Sequence, residues 1–304
     1  MSREGEPIRY SDVRKERIKT REGTVTYGVI QHERTDVGTP VFFLPGYGEG
    51  MKPITPVSGA IAEKNASGDT REVIMIRHSR RQFRFGKKFN KDTLRKLYPN
   101  ASKRAFYCHN ATLRRAHEAI LVLDKLKTKA HLAGHSYGGM TAVCIGLLRP
   151  DLVESITLLN SGGLVGVSDS WIKDQWTLTR RFVWDNWRAE IKVHGLKMLP
   201  IIFLTFGYIL LKFGRGVREN FDVARSDMIP AMRELAQKGI KITVVYDELD
   251  KVFPAPLVRE QLQRLPAGTP IEIVTTNEHL HYGPVTNPIK YGRRVRSIVD
   301  GTGK

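Results

Sequence analysis

Residues Gly134-His135-Ser136-Tyr137-Gly138-Gly139 place a serine in a Gly-x-Ser-x-Gly turn, and the segments on either side restrict what that turn can be. Lys129-Ala130-His131-Leu132-Ala133 leads in as a short strand. Met140 to Leu148 leads out with helical spacing until Arg149-Pro150 stops it. A serine on a sharp strand-to-helix turn is the pattern of a nucleophile elbow. The turn holds its serine at strained backbone angles, so the positions two before and two after it, Gly134 and Gly138, must be small. The same geometry lifts the hydroxyl clear of the strand and points the amide of Tyr137, at the head of the next helix, toward any oxygen that becomes negative in acyl transfer.

Three further pieces follow the ends of expected strands. Upstream, Pro40-Val41-Phe42-Phe43-Leu44 reads as a buried strand running into Pro45-Gly46-Tyr47-Gly48-Glu49-Gly50, where the amide of Tyr47 can join that of Tyr137 as an oxyanion hole. Downstream, Gly239 to Tyr246 is an apolar strand ending in Asp247-Glu248-Leu249-Asp250. A carboxylate there can orient a histidine; Asp250 is preferred because it sits a short loop beyond the strand, with Asp247 as the fallback. Finally, Ile271 to Thr276 alternates as a strand and is followed by His279 and His281. Either imidazole can take a serine proton and return it to a leaving group, since its pKa lies near working pH. His281 is preferred, with His279 as the fallback.

This order of strand, Pro-Gly-Tyr-Gly, Gly-His-Ser-Tyr-Gly-Gly, strand-Asp and strand-His resembles the α/β-hydrolase superfamily from about Thr24 to Val299. The resemblance implies an α/β fold, a mostly parallel sheet with helices on both faces, and a triad in the chain order Ser136, Asp250, His281 with Tyr47 and Tyr137 as oxyanion donors. Many relatives carry His-Gly where this chain has Pro45-Gly46. The implied activity is that of a serine esterase acting on a hydrophobic acyl ester through an acyl-enzyme. The alternatives are a thioesterase or acyltransferase, or a hydrolase scaffold that has lost its chemistry and binds a lipid or an anionic partner.

The chain of 304 residues, 41% hydrophobic, suffices for one catalytic core plus an insertion. Residues 1–23 read as a polar amino-terminal segment, 24–163 and 240–304 as the core, and 164–239 as a helical cap. The insertion holds the charge-free run Met198 to Leu211, whose roughly 21 Å length as a helix falls short of the roughly 30 Å bilayer core. It is read as a lid buried against the core, with Phe203, Phe206 and Leu210 lining the substrate pocket, and a membrane-interface position as the other choice. Ser226 to Gly239 reads as an amphipathic helix returning the chain to the sheet.

Formal charge is +18, and Arg77 to Arg115 carries 13 Lys or Arg against Asp92 alone. Arg80, Arg81, Arg84, Lys87 and Lys88 interleave with aromatic residues there, a pattern suited to an anionic partner, either an acidic substrate or an anionic membrane surface, or else to a merely solvated basic face. No nucleic-acid-binding motif accompanies it, so nucleic acid is not the expected partner. No cofactor or metal is expected, because no metal-ligand spacing is present. Cys108 and Cys144 lie far apart along the chain and read as reduced thiols. The amino end lacks the apolar stretch of a signal peptide, so a cytoplasmic protein is expected, with peripheral membrane contact kept open.

Overall fold

The structure, a computed structural model, describes residues 8–20, 23–31, 38–47, 49–65, 67–78, 91–199, 202–203, 207, 213–278 and 280–302. Among them, eight strands form one sheet: β1 (Arg14–Thr20), β2 (Gly23–Ile30), β3 (Val41–Leu44), β4 (Val73–Arg77), β5 (Ala130–His135), β6 (Val153–Leu159), β7 (Lys241–Asp247) and β8 (Ile271–Thr276). Their spatial order is β1-β2-β4-β3-β5-β6-β7-β8. Pairs β1·β2 and β2·β4 are antiparallel and the rest are parallel.

Helices cover both faces, so the central strands have no polar side. In β3, Val41 and Phe43 face α1 (Met51–Ala62) and α11 (Pro288–Val299), where Ile54, Val57, Val295 and Ile298 close one core. Phe42 and Leu44 face the opposite core, which includes residues of α3 (Asn110–Leu126) and α4 (Tyr137–Leu148). This is why Val-Phe-Phe-Leu reads as an unbroken apolar run. Every residue of α4 is buried, in keeping with its position behind the middle of the sheet.

Residues 14–20 fall within the segment read as polar, and they form β1, the antiparallel edge of the sheet against β2. The sequence Arg-Lys-Glu-Arg-Ile-Lys-Thr conceals a strand because an edge strand has one solvated side and is protected from mispairing by charge.

Between β6 and β7 run α5 (Trp171–Arg180), a π-helical segment (Arg181–Asn186), α6 (Trp187–His194), α7 (Phe213–Ala224) and α8 (Ile229–Gln237). Arg181 and Trp187 both keep right-handed helical angles, so 171–194 is one continuous rod. In α8, Met232 and Leu235 are buried in the core, and the amide of Ile229 donates to Asp227. A short α9 (Ala255–Leu262) separates β7 from β8, and the four-residue α10 (Gly283–Thr286) precedes α11. Among the described residues no helix is long and apolar enough to cross a membrane.

Candidate active site

Ser136 occupies the turn between β5 and α4 with φ 52° and ψ −117°, angles that L residues rarely adopt. The turn is fixed from both sides: the Ser136 amide donates to the Leu159 carbonyl at 3.0 Å, and the Ser136 carbonyl accepts from Gly162 at 3.1 Å. A methyl group at Gly138 would lie 2.1 Å from the Leu44 carbonyl oxygen, and one at Gly134 would lie 2.5 Å from the Gly138 carbonyl oxygen. Both glycines are therefore demanded by backbone, which cannot move aside as a flexible side chain could.

Asp250 and His281 arrive from the loops after β7 and β8. His281 Nε2 lies 3.1 Å from Ser136 Oγ, and its Nδ1 lies 2.9 Å from Asp250 Oδ2. All three side chains are buried. The other oxygen of Asp250 accepts the amides of Val252 at 2.7 Å and Phe253 at 3.1 Å, so the loop aims the carboxylate before the histidine is considered. An ionised carboxylate only accepts, so the ring proton sits on Nδ1 and Nε2 is left to accept the serine hydroxyl. The edges of Phe253 and Phe182 pack near the ring, with centroids 5.2 and 6.3 Å away.

Asp247 is occupied elsewhere. Its carboxylate accepts from the Thr276 hydroxyl and from the amides of Glu278 at 3.0 Å and Leu249 at 2.9 Å, tying the ends of β7 and β8 together. His279 lies outside the described residues, as do Arg80, Arg81, Arg84, Lys87 and Lys88. Two cations in the same basic region, Arg114 and Arg115, are buried. Arg115 donates to the Pro45 carbonyl at 2.9 Å and stacks 4.5 Å above the ring of Tyr137, bracing the turn after β3 against the start of α4. Part of the charge excess is therefore internal structure.

A second polar unit, not singled out in the sequence, lies behind the first. His135 Nδ1 is 3.1 Å from Glu49 Oε1, and its Nε2 is 2.9 Å from the backbone carbonyl of His281. The other oxygen of Glu49 accepts the amide of Gly46. Burial pushes the Glu49 carboxyl up, but the charge and hydrogen bond of His135 outweigh it and hold the carboxyl below its ordinary value. Burial likewise disfavours the His135 cation, and Glu49 again prevails, raising the imidazole above its ordinary value. Glu49 and His135 thus form a buried ion pair joining the glycine-rich turn to the histidine loop. The signal available in the sequence was an acid inside a Gly-rich turn and an imidazole directly before the serine.

A cavity of about 200 Å³ opens on Ser136 and is lined mainly by apolar groups, among them Tyr47, Leu178, Phe182, Val217, Val223 and Phe253. Phe203, expected to line it, is instead 69% exposed and is not among the lining residues. Phe206 and Leu210 lie outside the described residues. The aromatic wall comes from the π-helical segment and the Asp250 loop, whose periodicity gives no hint of a pocket. The roof is fastened by Asp222 of α7, which accepts from Tyr137 Oη at 2.9 Å and from Thr112 Oγ1 at 3.0 Å. Asn220 donates to Thr179 at 3.0 Å, linking α7 to α5. In α6, Glu190 is fully buried and accepts the Tyr282 amide at 2.9 Å, next to His281. Burial and the nearby Asp250 raise its carboxyl to about 7. Among the described residues no group of three or more His, Cys, Asp or Glu is placed to hold a metal ion.

The sequence matches the α/β-hydrolase fold family over residues 41–191. Solved structures agree over nearly the whole chain. An N-acyl homoserine lactone degrading enzyme, Est816, is 17% identical with a TM-score of 0.61, covering 94% of this chain and 99% of its own. The enol-lactonase from Burkholderia xenovorans LB400 is 14% identical with a TM-score of 0.59, covering 94% and 100%. A bacterial membrane phospholipase A is 14% identical with a TM-score of 0.60, covering 95% and 86%. No curated protein sequence is a significant match. The chain belongs to the α/β-hydrolase superfamily.

Proposed function

We propose that this protein is a serine hydrolase that cleaves an ester of a hydrophobic acyl group through an acyl-enzyme. The observation carrying this reading is the chain of contacts from Ser136 Oγ to His281 Nε2 at 3.1 Å and from His281 Nδ1 to Asp250 at 2.9 Å, at the floor of an apolar cavity. In the first half-reaction His281 takes the hydroxyl proton as Ser136 attacks the acyl carbonyl, while Asp250 holds the ring and offsets the imidazolium charge. The tetrahedral oxygen is stabilised by the amides of Tyr47 and Tyr137. Collapse expels the alcohol, which receives the proton from His281. Water, deprotonated by the same ring, then attacks the acyl-Ser136 ester and releases the acid. Residues 164–239 act as the cap, with α5, the π-helical segment and α7 shaping the acyl site.

The test is labelling with a fluorophosphonate together with turnover of a panel of acyl esters, each repeated with Ser136→Ala. Labelling and turnover that vanish in the variant support the reading. Turnover that survives Ser136→Ala defeats it, and a fully folded wild-type chain inert to every probe favours a binding scaffold.

A further inference from the structure

All four tryptophans of the chain, Trp171, Trp176, Trp184 and Trp187, fall within the single helical rod 171–194. A tryptophan in a soluble fold ordinarily buries its large ring. Here Trp176 is 70% exposed and Trp184 67% exposed, and Ile172 and Ile191 are exposed on the same rod. The arrangement follows from helical spacing. Leu178, Phe182, Asn186 and Glu190 recur every four residues and face inward: Leu178, Asn186 and Glu190 are buried, and Phe182 packs on the core. The opposite side is left to carry Ile172, Trp176, Trp184 and Ile191. The wide turn of the π-helical segment takes up an additional residue per turn and keeps Trp184 in this outer row.

Basic side chains flank the row. Lys173, Arg180, Arg188 and Lys192 are all exposed. The acids of the rod do little to offset them, since Asp174 is bound to Arg225 at 2.8 Å and Glu190 is buried. Asp185 remains, 3.6 Å from Arg180. Exposed indole rings with their amphipathic edges, aliphatic neighbours and flanking cations match the chemistry of the headgroup layer of an anionic bilayer. The row also borders the candidate active site: Gln175, Thr179 and Val183 of the same rod line its cavity, and Val217 across the opening is both lining and exposed.

We propose that the outer face of residues 171–194 docks on the surface of an anionic phospholipid membrane, setting the cavity mouth against the headgroup layer. The inference concerns binding and does not rest on the proposed ester cleavage, so its failure and the failure of that reading are separately visible.

The experiment uses the full-length protein with vesicles of phosphatidylcholine alone or mixed with phosphatidylglycerol. Because every tryptophan lies in the rod and Trp176 and Trp184 stand in its outer row, intrinsic fluorescence responds to burial of the proposed face. We expect co-sedimentation with the anionic vesicles, weakened by salt, with a blue-shifted emission that acyl-brominated lipid quenches. Trp176→Ser/Trp184→Ser should lose the blue shift, and Arg188→Glu/Lys192→Glu should weaken binding more than about tenfold. Both pairs are solvent-exposed, so their thermal melting should match wild type. Equal affinity for both vesicle types, anionic binding untouched by either variant, or no vesicle binding at all would overturn the proposal. Concentration-dependent self-association abolished by Trp176→Ser/Trp184→Ser, without vesicle binding, would instead assign the face to a second copy of the chain.

Discussion

His135 Nε2 donates to the backbone carbonyl of His281 across 2.9 Å, so the residue before the candidate nucleophile holds the main chain of the candidate base. Through its other nitrogen the same ring reaches Glu49, whose second oxygen accepts the Gly46 amide next to Tyr47. One imidazole therefore sets the relative positions of three loops that are far apart in the sequence.

Removing one member of this pair leaves a buried charge unmatched. His135→Ala should destabilise the fold by about 3–5 kcal/mol, whereas Glu49→Gln/His135→Gln, which removes both charges, should lose less. The sign of the pH effect follows from the two shifts. Glu49 is held below its ordinary 4.5, so its contribution is present above that value and is lost as pH falls through the lowered folded value. His135 is raised above its ordinary 6.5, so its contribution is full below 6.5 and is lost as pH rises through the folded value. The stability difference between wild type and the double variant should peak between those two pH values, as read by urea unfolding.

Glu190 has the slope opposite to that of Glu49. Its carboxyl is raised to about 7 from an ordinary 4.5, so the folded state binds a proton that the unfolded chain releases. Stability should fall as pH rises across that interval, by roughly 3 kcal/mol at most, and then level off. Glu190→Gln keeps an oxygen for the Tyr282 amide and should flatten this slope in melts recorded from pH 4.5 to 7.

If His281 is the base, His281→Ala should cut acylation at least about 10³-fold, while His279→Ala should leave it near wild type. Asp250→Asn should cost about 10³–10⁴-fold with little change in melting temperature, because the amide oxygen can still accept the Val252 and Phe253 amides. Stopped-flow detection of the first product separates this step from deacylation.

The cavity is small beside the roughly 300–1,000 Å³ of typical drug-sized ligand sites. Short and medium acyl esters should therefore be preferred over long ones. Phe182→Ala removes one wall and should move the optimum toward longer chains in a kcat/KM series.

Much of the candidate site was legible because its residues lie at strand ends. Gly134 and Gly138, on either side of Ser136, are forced by backbone proximity, and Asp250 and His281 follow runs whose apolar pattern marks β7 and β8. The fold class followed from the family resemblance that these motifs carry. Less was readable where tertiary contacts decide the role of a residue. Strand β1 was hidden by the charges that suit an edge. Arg115 counted toward a surface charge, yet it lies inside the core against Tyr137. The cavity wall uses Phe182 and Phe253, whereas Phe203, from the most apolar run, points into solvent.

The missing side chain at Gly138 has a consequence for how this protein can change. Its α-carbon sits so near the Leu44 carbonyl that the serine turn and the neighbouring glycine-rich turn are locked in step, and neither can be redrawn alone. Mutational drift and laboratory libraries should find that junction closed, with new selectivity arising instead from the helices overhead.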